Sequence, residues 1–408
     1  MAVIWSGTGC MEKETTIKPN TVFLEFEAKW KTLNTPAEKQ QAVDELLTAV
    51  KNGMYPIFED DSTVVLLYSG ERDSVNVLGD MGNWFDQIPL QRLQGTSLFF
   101  LRQRYPPEAR LEYLFTFGKD QWPAQDTLNP HVVLNGFGPN SELAMPRYRR
   151  HPFFNDFLTG KKGQYKNIET HRLLPGILPY ERTIHVYVPA GYQKATKQYP
   201  TVYFQDGEDY IEFAQAAELI DHLISSQQIE PLIAVFIAPP NRHKPDMPNR
   251  MTEYGLNDDY IRFMADELVP FIDSTYGTLK DPYAHMVLGD SFGGLISAYA
   301  PFLRPDVFGI GYSQSGYVSF RKDQLIELFR QAEVKPILLY VDVGWYERKV
   351  GANMLPEAET DFLAANRRFR DVLGQKGYSF IYREYPEGHT WGNWRRHLID
   401  ALIHYFGI

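Results

Sequence analysis

The sequence predicts two architectures in series, a β-sandwich followed by an α/β domain on a mainly parallel sheet. Three observations predict this. Between Ser62 and Phe117, the runs STVVLLYSG, SVNVLGD, SLFFLRQRY and ARLEYLFTF are each bounded by Gly, Pro, Asn or Asp, the rhythm of an antiparallel sandwich. From Thr183 onward, apolar β-branched runs alternate with stretches of helical period, which is how a parallel sheet with crossover helices is written. The chain has 408 residues, enough for two or three domains at roughly 150 residues each.

Residues 1–60 read as an N-terminal extension with a helix, 61–160 as the sandwich and 161–408 as the α/β domain. Thr21 to Phe26 is a β-branched and aromatic run. Thr35, Pro36 and Glu38 form a helix start, and Ala42, Val43, Leu46, Leu47 and Val50 recur at helical spacing before Asn52-Gly53. The passage from Trp122 to about Pro152 is rich in Pro and Gly and poorly periodic, and Gly160-Lys161-Lys162-Gly163 marks the boundary. Beyond it, Thr183–Val188, Thr201–Gln205, Leu232–Ala238, His285–Gly289, Pro336–Val343 and Tyr378–Tyr385 read as strands. Phe213–Ser225, Tyr260–Tyr276, Gly293–Phe302, Glu359–Lys376 and a C-terminal segment read as helices.

Composition bounds the function. Hydrophobic residues make up 44% and charged residues 23%, a globular balance that argues against disorder. Apolar stretches such as Pro231–Pro240 fall short of the roughly 18 residues of a membrane span. The start MAVIWSGTGCMEKE has no basic leader followed by a long apolar run, so a cytoplasmic protein is expected. A single cysteine, Cys10, excludes an internal disulfide and a cysteine-cluster metal site. A net charge of -10 argues against a nucleic-acid partner. No oligomeric state follows from these numbers.

The strongest chemical signal is Gly289-Asp290-Ser291-Phe292-Gly293, a G-x-S-x-G pentapeptide between a strand end and a helix start. A sharp strand-to-helix turn needs small flanking residues and leaves the serine hydroxyl projecting from the sheet edge, beside the partial positive charge of a helix N-terminus. A serine hydroxyl is too weakly acidic to attack unaided, so a histidine must take its proton and a carboxylate must hold that histidine, in the chain order Ser, acid, His. His389 follows the last strand and precedes the last helix, whereas His397 and His404 lie within the helical pattern, where a solvated role is expected. For the acid, Glu347 in the loop after ILLYVDV is preferred to Asp342 within the strand, with Glu387 and Asp361 as more distant choices. The oxyanion donors are expected to be the backbone N–H groups of Phe292, after the nucleophile, and of Glu208, in VYFQDGED. Such a site requires no cofactor and no metal.

These segments resemble the putative-esterase family of α/β-hydrolases, which includes enterochelin (ferric enterobactin) esterases and feruloyl or acetylxylan esterase domains. The resemblance covers about Gln164 to Phe406 and rests on ERTIHVYVPAGY, VYFQDGEDY, NRMTEY, GDSFGGLISAYAPFLRPDVFG, SQSG, GWYE and EGHTWGNWRRHL. It is nearest the enterochelin esterase branch, in which the acid often falls three residues after a strand-end glycine, as Glu347 follows Gly344. That branch also carries an N-terminal sandwich. Asp290 departs from the glutamine expected before the serine. Val75 to Pro130 resembles early-set, immunoglobulin-like sandwiches such as glycogen-binding modules, in which Trp84 and Trp122 would stack on a sugar; aromatic residues of a sandwich are more often core, and that is the expected role of both here.

The resemblance implies a serine carboxylesterase acting through an acyl-enzyme on a small-molecule ester, with no nucleic-acid or membrane partner. A siderophore ester is one substrate class and a sugar-linked acyl or feruloyl ester the other; a non-catalytic binding protein on the same scaffold is the third reading. A trianionic ferric catecholate would need cations, for which Arg242, His243, Lys244 and Arg250 are the candidates. The N-terminal sandwich is expected to shape access without contributing to the triad.

Overall fold

The computed structural model describes residues 19–118, 121–154, 166–240 and 249–408. Two compact units emerge from the contacts: one runs to Gly70 and adds Gln91–Ala109 and Ala144–Arg149, and the other holds Glu71–Leu90, Arg110–Leu143 and Arg150–Ile408. The sequence draws its boundary at Gly160–Gly163, which lies outside the described residues, as does Cys10.

The first unit opens with helices α1 (Val22–Trp30) and α2 (Pro36–Lys51) and strands β1 (Ile57–Phe58) and β2 (Thr63–Ser69). The β-branched and aromatic run at Thr21–Phe26 is helical because Phe23, Phe26 and Trp30 fall on one helical face, and Phe23 meets the ring of Phe100 at 5.1 Å. Packing here overrides local preference. Thr35 and Glu38 form a reciprocal capping box on α2, whose buried face is Ala42, Val43, Leu46 and Val50. The chain gives β3 (Asn76–Gly79) and β4 (Ile88–Pro89) to the second unit, then β5 (Gln91–Arg92) and β6 (Leu98–Arg104) to the first. The first unit's sheet has the order β1-β2-β6-β5, antiparallel throughout.

The second unit contains a five-stranded sheet, β4-β3-β7-β9-β8, completed by β7 (Arg110–Thr116), β8 (Val132–Asn135) and β9 (Gly138–Ala144). The β8–β9 hairpin falls in the passage that lacked period in the sequence. Its alternation is hidden because Asn140, Ser141 and Glu142 are buried polar residues, paired inside the fold rather than facing water.

The larger sheet of this unit is built from β10 (Ile168–Leu173), β11 (Arg182–Tyr187), β12 (Thr201–Phe204), β13 (Ile233–Ile237), β14 (His285–Asp290), β15 (Ile310–Gln314), β16 (Leu338–Gly344) and β17 (Ser379–Tyr385). Its order is β10-β11-β13-β12-β14-β15-β16-β17; the β10–β11 and β11–β13 pairs are antiparallel and the others parallel. This is the expected mainly parallel sheet. Strands β10 and β15 carry no strong strand signal: one is a polar edge segment, the other a five-residue strand that includes Gly311 and Ser313. Helices α3 (Gly207–Phe213), α4 (Ala216–Ser225), α5 (Arg250–Tyr254), α6 (Asp258–Phe263), α7 (Val269–Tyr276), α8 (Phe292–Leu303), α9 (Phe320–Gln331), α10 (Phe362–Lys376) and α11 (Trp391–Phe406) complete it, a π-helical turn joining α6 to α7.

Successive residues of the central strands serve opposite cores, as the strand period of two demands. Tyr203, Val235, Val287 and Leu339 face one core with α6 to α10, and Phe204, Phe236, Met286 and Tyr340 face the other with α3, α4 and α11. Among the described residues no helix is long and apolar enough to cross a membrane.

Candidate active site

Because β12 to β17 are parallel, the segments leaving their C-terminal ends collect along one edge of the sheet. Ser291 sits between β14 and α8 with φ 56° and ψ -116°, a conformation costly for a residue with a side chain. The surroundings fix it: the Ser291 N–H donates to the Gln314 carbonyl at 2.9 Å, and the Ser291 carbonyl accepts from Tyr317 N at 2.9 Å and Leu295 N at 3.0 Å. Gly289 is obligatory, since a Cβ there would come inside 3 Å of the Gly293 backbone and of Gln205.

Glu347 lies in the loop after β16, wholly buried. Its Oε1 accepts from the Gly344 N–H at 2.7 Å and the Ser315 hydroxyl at 2.6 Å, and its Oε2 lies 2.8 Å from His389 Nδ1. A carboxylate only accepts, so Nδ1 carries the proton and Nε2 is left to accept from the Ser291 hydroxyl, 3.1 Å away. His389 stands between β17 and α11 with Phe362 and Trp394 edge-on at 5.2 and 4.9 Å. Gly344 lets the two loops close, because a Cβ there would enter both the Glu387 carbonyl and the Glu347 carboxylate.

The other acid candidates are engaged elsewhere. Asp342 accepts from the Tyr312 hydroxyl at 2.6 Å, and burial pushes its pKa up to about 7. Glu387 meets His397 Nε2 at 2.8 Å, and Asp361 caps α10 by accepting from Ala364 N. His397 is buried rather than solvated and stacks on Tyr385; burial opposes its charge, but Glu387 holds its pKa above the ordinary value. His404 is exposed.

Phe292 is the first residue of α8 and Glu208 the second of α3, so both stand in the first turn of a helix that leaves the C-terminal end of a strand. Gly207 presses on the β13 backbone, where a Cβ would come inside 3 Å of Phe236 and Ile237. Arg250 reaches Asp206 with Nε 2.8 Å from Oδ1, so its charge is matched by a buried carboxylate. Burial, then the charge of Asp206, raises the pKa of Asp290 well above the carboxylate range. Arg242, His243 and Lys244 lie outside the described residues. Trp84 donates its indole N–H to Asp80 at 2.7 Å, whereas Trp122 is 92% exposed. No cluster of metal-ligating side chains occurs among the described residues.

Two residues that sequence reasoning did not assign complete the hydrogen-bond line. Ser315, of the SQSG segment, donates to Glu347 and accepts from Trp394 Nε1 at 2.9 Å. Its left-handed φ of 45° turns the chain after β15 toward the acid.

The family model described as Putative esterase matches residues 176–405, more than half of the chain. The chain belongs to this family. Its relatives include proteins named as an endo-1,4-beta-xylanase/feruloyl esterase and as iron(III) enterobactin esterases. The uncharacterized Bacillus subtilis protein YjcH is 29% identical over 54% of this chain and 90% of its own length. The iron(III) enterobactin esterase of Dickeya dadantii is 26% identical over 55% of this chain and 52% of its own. Among solved structures, the enterobactin esterase of Shigella flexneri superposes with a TM-score of 0.67 at 20% identity, covering 85% of this chain and 94% of that one. The Salmonella typhimurium ferric enterobactin esterase gives a TM-score of 0.69 at 18% identity, covering 84% and 93%. This esterase therefore has the α/β-hydrolase-like fold of those enzymes, with a β-rich N-terminal region.

Proposed function

We propose that the chain is a serine carboxylesterase in which Ser291 is the nucleophile, His389 the base and Glu347 the acid. The observation that carries it is the unbroken line from Glu347 Oε2 through His389 to Ser291 Oγ at 2.8 and 3.1 Å. The Ser291 oxygen attacks the ester carbonyl as its proton passes to His389 Nε2, and the carbonyl oxygen becomes an oxyanion held by the N–H groups of Phe292 and Glu208. Collapse expels the alcohol, protonated by His389, and leaves an acyl-serine; water, deprotonated by the same imidazole, releases the acid. Glu347 holds the Nδ1–H tautomer and offsets the imidazolium charge.

The relatives named enterobactin esterases favour a siderophore-type ester as substrate. A second reading, a sugar-linked acyl or feruloyl ester, is favoured by the Arg250–Asp206 pair, which takes one candidate cation away from a polyanionic ligand. Hydrolysis of p-nitrophenyl acetate, a feruloyl sugar and a tricatecholate lactone, with wild type and Ser291→Ala in parallel, tests both. Preference for the lactone supports the first reading and preference for the feruloyl sugar the second. Binding of an ester without turnover would replace both with a non-catalytic binding protein.

A further inference from the structure

Arg110, the first residue of β7, is fully buried and lies at the loop that carries His389. Its backbone N–H donates to the Pro386 carbonyl at 3.3 Å, and it pairs with Glu387 in an isolated parallel bridge. Its guanidinium donates through Nη2 to Glu112 Oε1 at 2.8 Å and through Nε to Glu142, which Arg150 also engages. The remaining arm, Nη1, reaches the Thr390 hydroxyl at 3.4 Å. Gly392 has no side chain where that guanidinium lies, and a Cβ there would overlap it.

The other side of the loop is held in the same way. A Cβ on Gly388 would overlap the Asp80 carboxylate, which accepts from Trp84 Nε1 and from Glu112 N, each at 2.7 Å. Residues on both sides of His389 therefore rest on buried polar side chains, Arg110 of β7 and Asp80 in the turn after β3. Proton transfer demands that the imidazole be placed to within about 0.5 Å, and Glu347 alone fixes only one ring nitrogen.

We propose that Arg110 is a positioning residue for His389, setting the Pro386–Thr390 loop and the first turn of α11 from a strand outside the large sheet. The proposal rests on the reading of Ser291 and His389 given above. Arg110 touches no reacting atom; it acts by holding the backbone on either side of the imidazole. Its three nitrogens serve Glu142, Thr390 and Glu112 in three directions, a geometry that a point charge such as lysine does not reproduce.

The test uses the full chain and p-nitrophenyl acetate. Arg110→Lys and Gly392→Ala should each lower kcat about tenfold or more with KM within about twofold of wild type. Neither should lower the residual rate further in a His389→Ala background, because the loop then carries no base to position. Thr390→Val leaves every ion pair intact and decides the matter if the other two lose the fold; it should lower kcat about threefold. A folded variant with unchanged kcat, or losses that multiply in the His389→Ala background, would overturn the proposal. If Ser291→Ala keeps full turnover, the underlying reading fails instead, and with it the role of Arg110.

Discussion

Glu347 and Asp342 leave the same strand, yet only Glu347 meets His389: its Oε2 lies 2.8 Å from Nδ1, while Asp342 is turned to Tyr312 at 2.6 Å. Asp342 lies within β16 on the face it shares with Tyr340 and Tyr312, whereas Glu347 sits after the turn at Gly344, whose own N–H steadies it at 2.7 Å. Glu347→Gln should therefore lower kcat by about 10³ or more, as loss of the correct tautomer does elsewhere, while Asp342→Asn changes kcat far less. Steady-state kinetics of the two variants check this, and the reverse order would move the acid to Asp342.

Ser291→Ala and His389→Ala should each reduce kcat by about 10³ or more, and the double variant should be scarcely slower, because residues that act as a unit are not additive. Labelling with a small fluorophosphonate gives the same answer without a substrate: wild type is modified at Ser291 and neither variant is. A single variant with near-normal turnover would remove the proposed mechanism.

Ser315→Ala takes away the hydroxyl that donates to Glu347 Oε1 and accepts from Trp394. We expect a fall in kcat of about tenfold with KM nearly unchanged, since the ester does not meet Ser315 in the proposed mechanism. Trp394→Phe should give a smaller effect in the same direction, and a KM effect without a kcat effect would place Ser315 in substrate binding.

Gly344→Ala should disturb acid and base together, because the added methyl would enter the Glu387 carbonyl and the Glu347 carboxylate at once. The expected outcome is a lower melting temperature, equivalent to about 1–3 kcal/mol of overpacking, with a larger loss of kcat than stability alone explains. Thermal unfolding alongside kinetics below the transition separates the two effects.

Asp342 supplies a pH test. Burial pushes its pKa up to about 7 from the ordinary 3.8, so the folded state keeps a proton that the unfolded chain releases near pH 4. Its contribution to stability is full below about pH 4 and is lost as pH rises through about 7. Relative to wild type, Asp342→Asn should gain on the order of 4 kcal/mol between pH 4 and pH 8. Urea unfolding at the two pH values measures that difference, and a constant gap would mean that the carboxyl is not perturbed.

The sequence alone determined what depends on neighbours along the chain: the capping box at Thr35, the apolar runs of the central strands, and the turn around Ser291 that needs Gly289. It also ordered the chemistry, because strand ends alternate with helix starts and Ser291, Glu347 and His389 each follow a strand. It could not show β8 and β9, whose buried Asn140 and Glu142 look like surface residues until their partners are known. The α1 run has the composition of a strand and became a helix because its aromatic face found Phe100. Only the tertiary structure decided that Glu347 faces His389, that Ser315 and Trp394 support it, and that Arg110 reaches the Pro386–Thr390 loop across 280 residues of sequence. The physical reason is that hydrogen bonds and close contacts act over a few ångströms, and such proximity between distant segments is created by strand order and packing rather than by local preference.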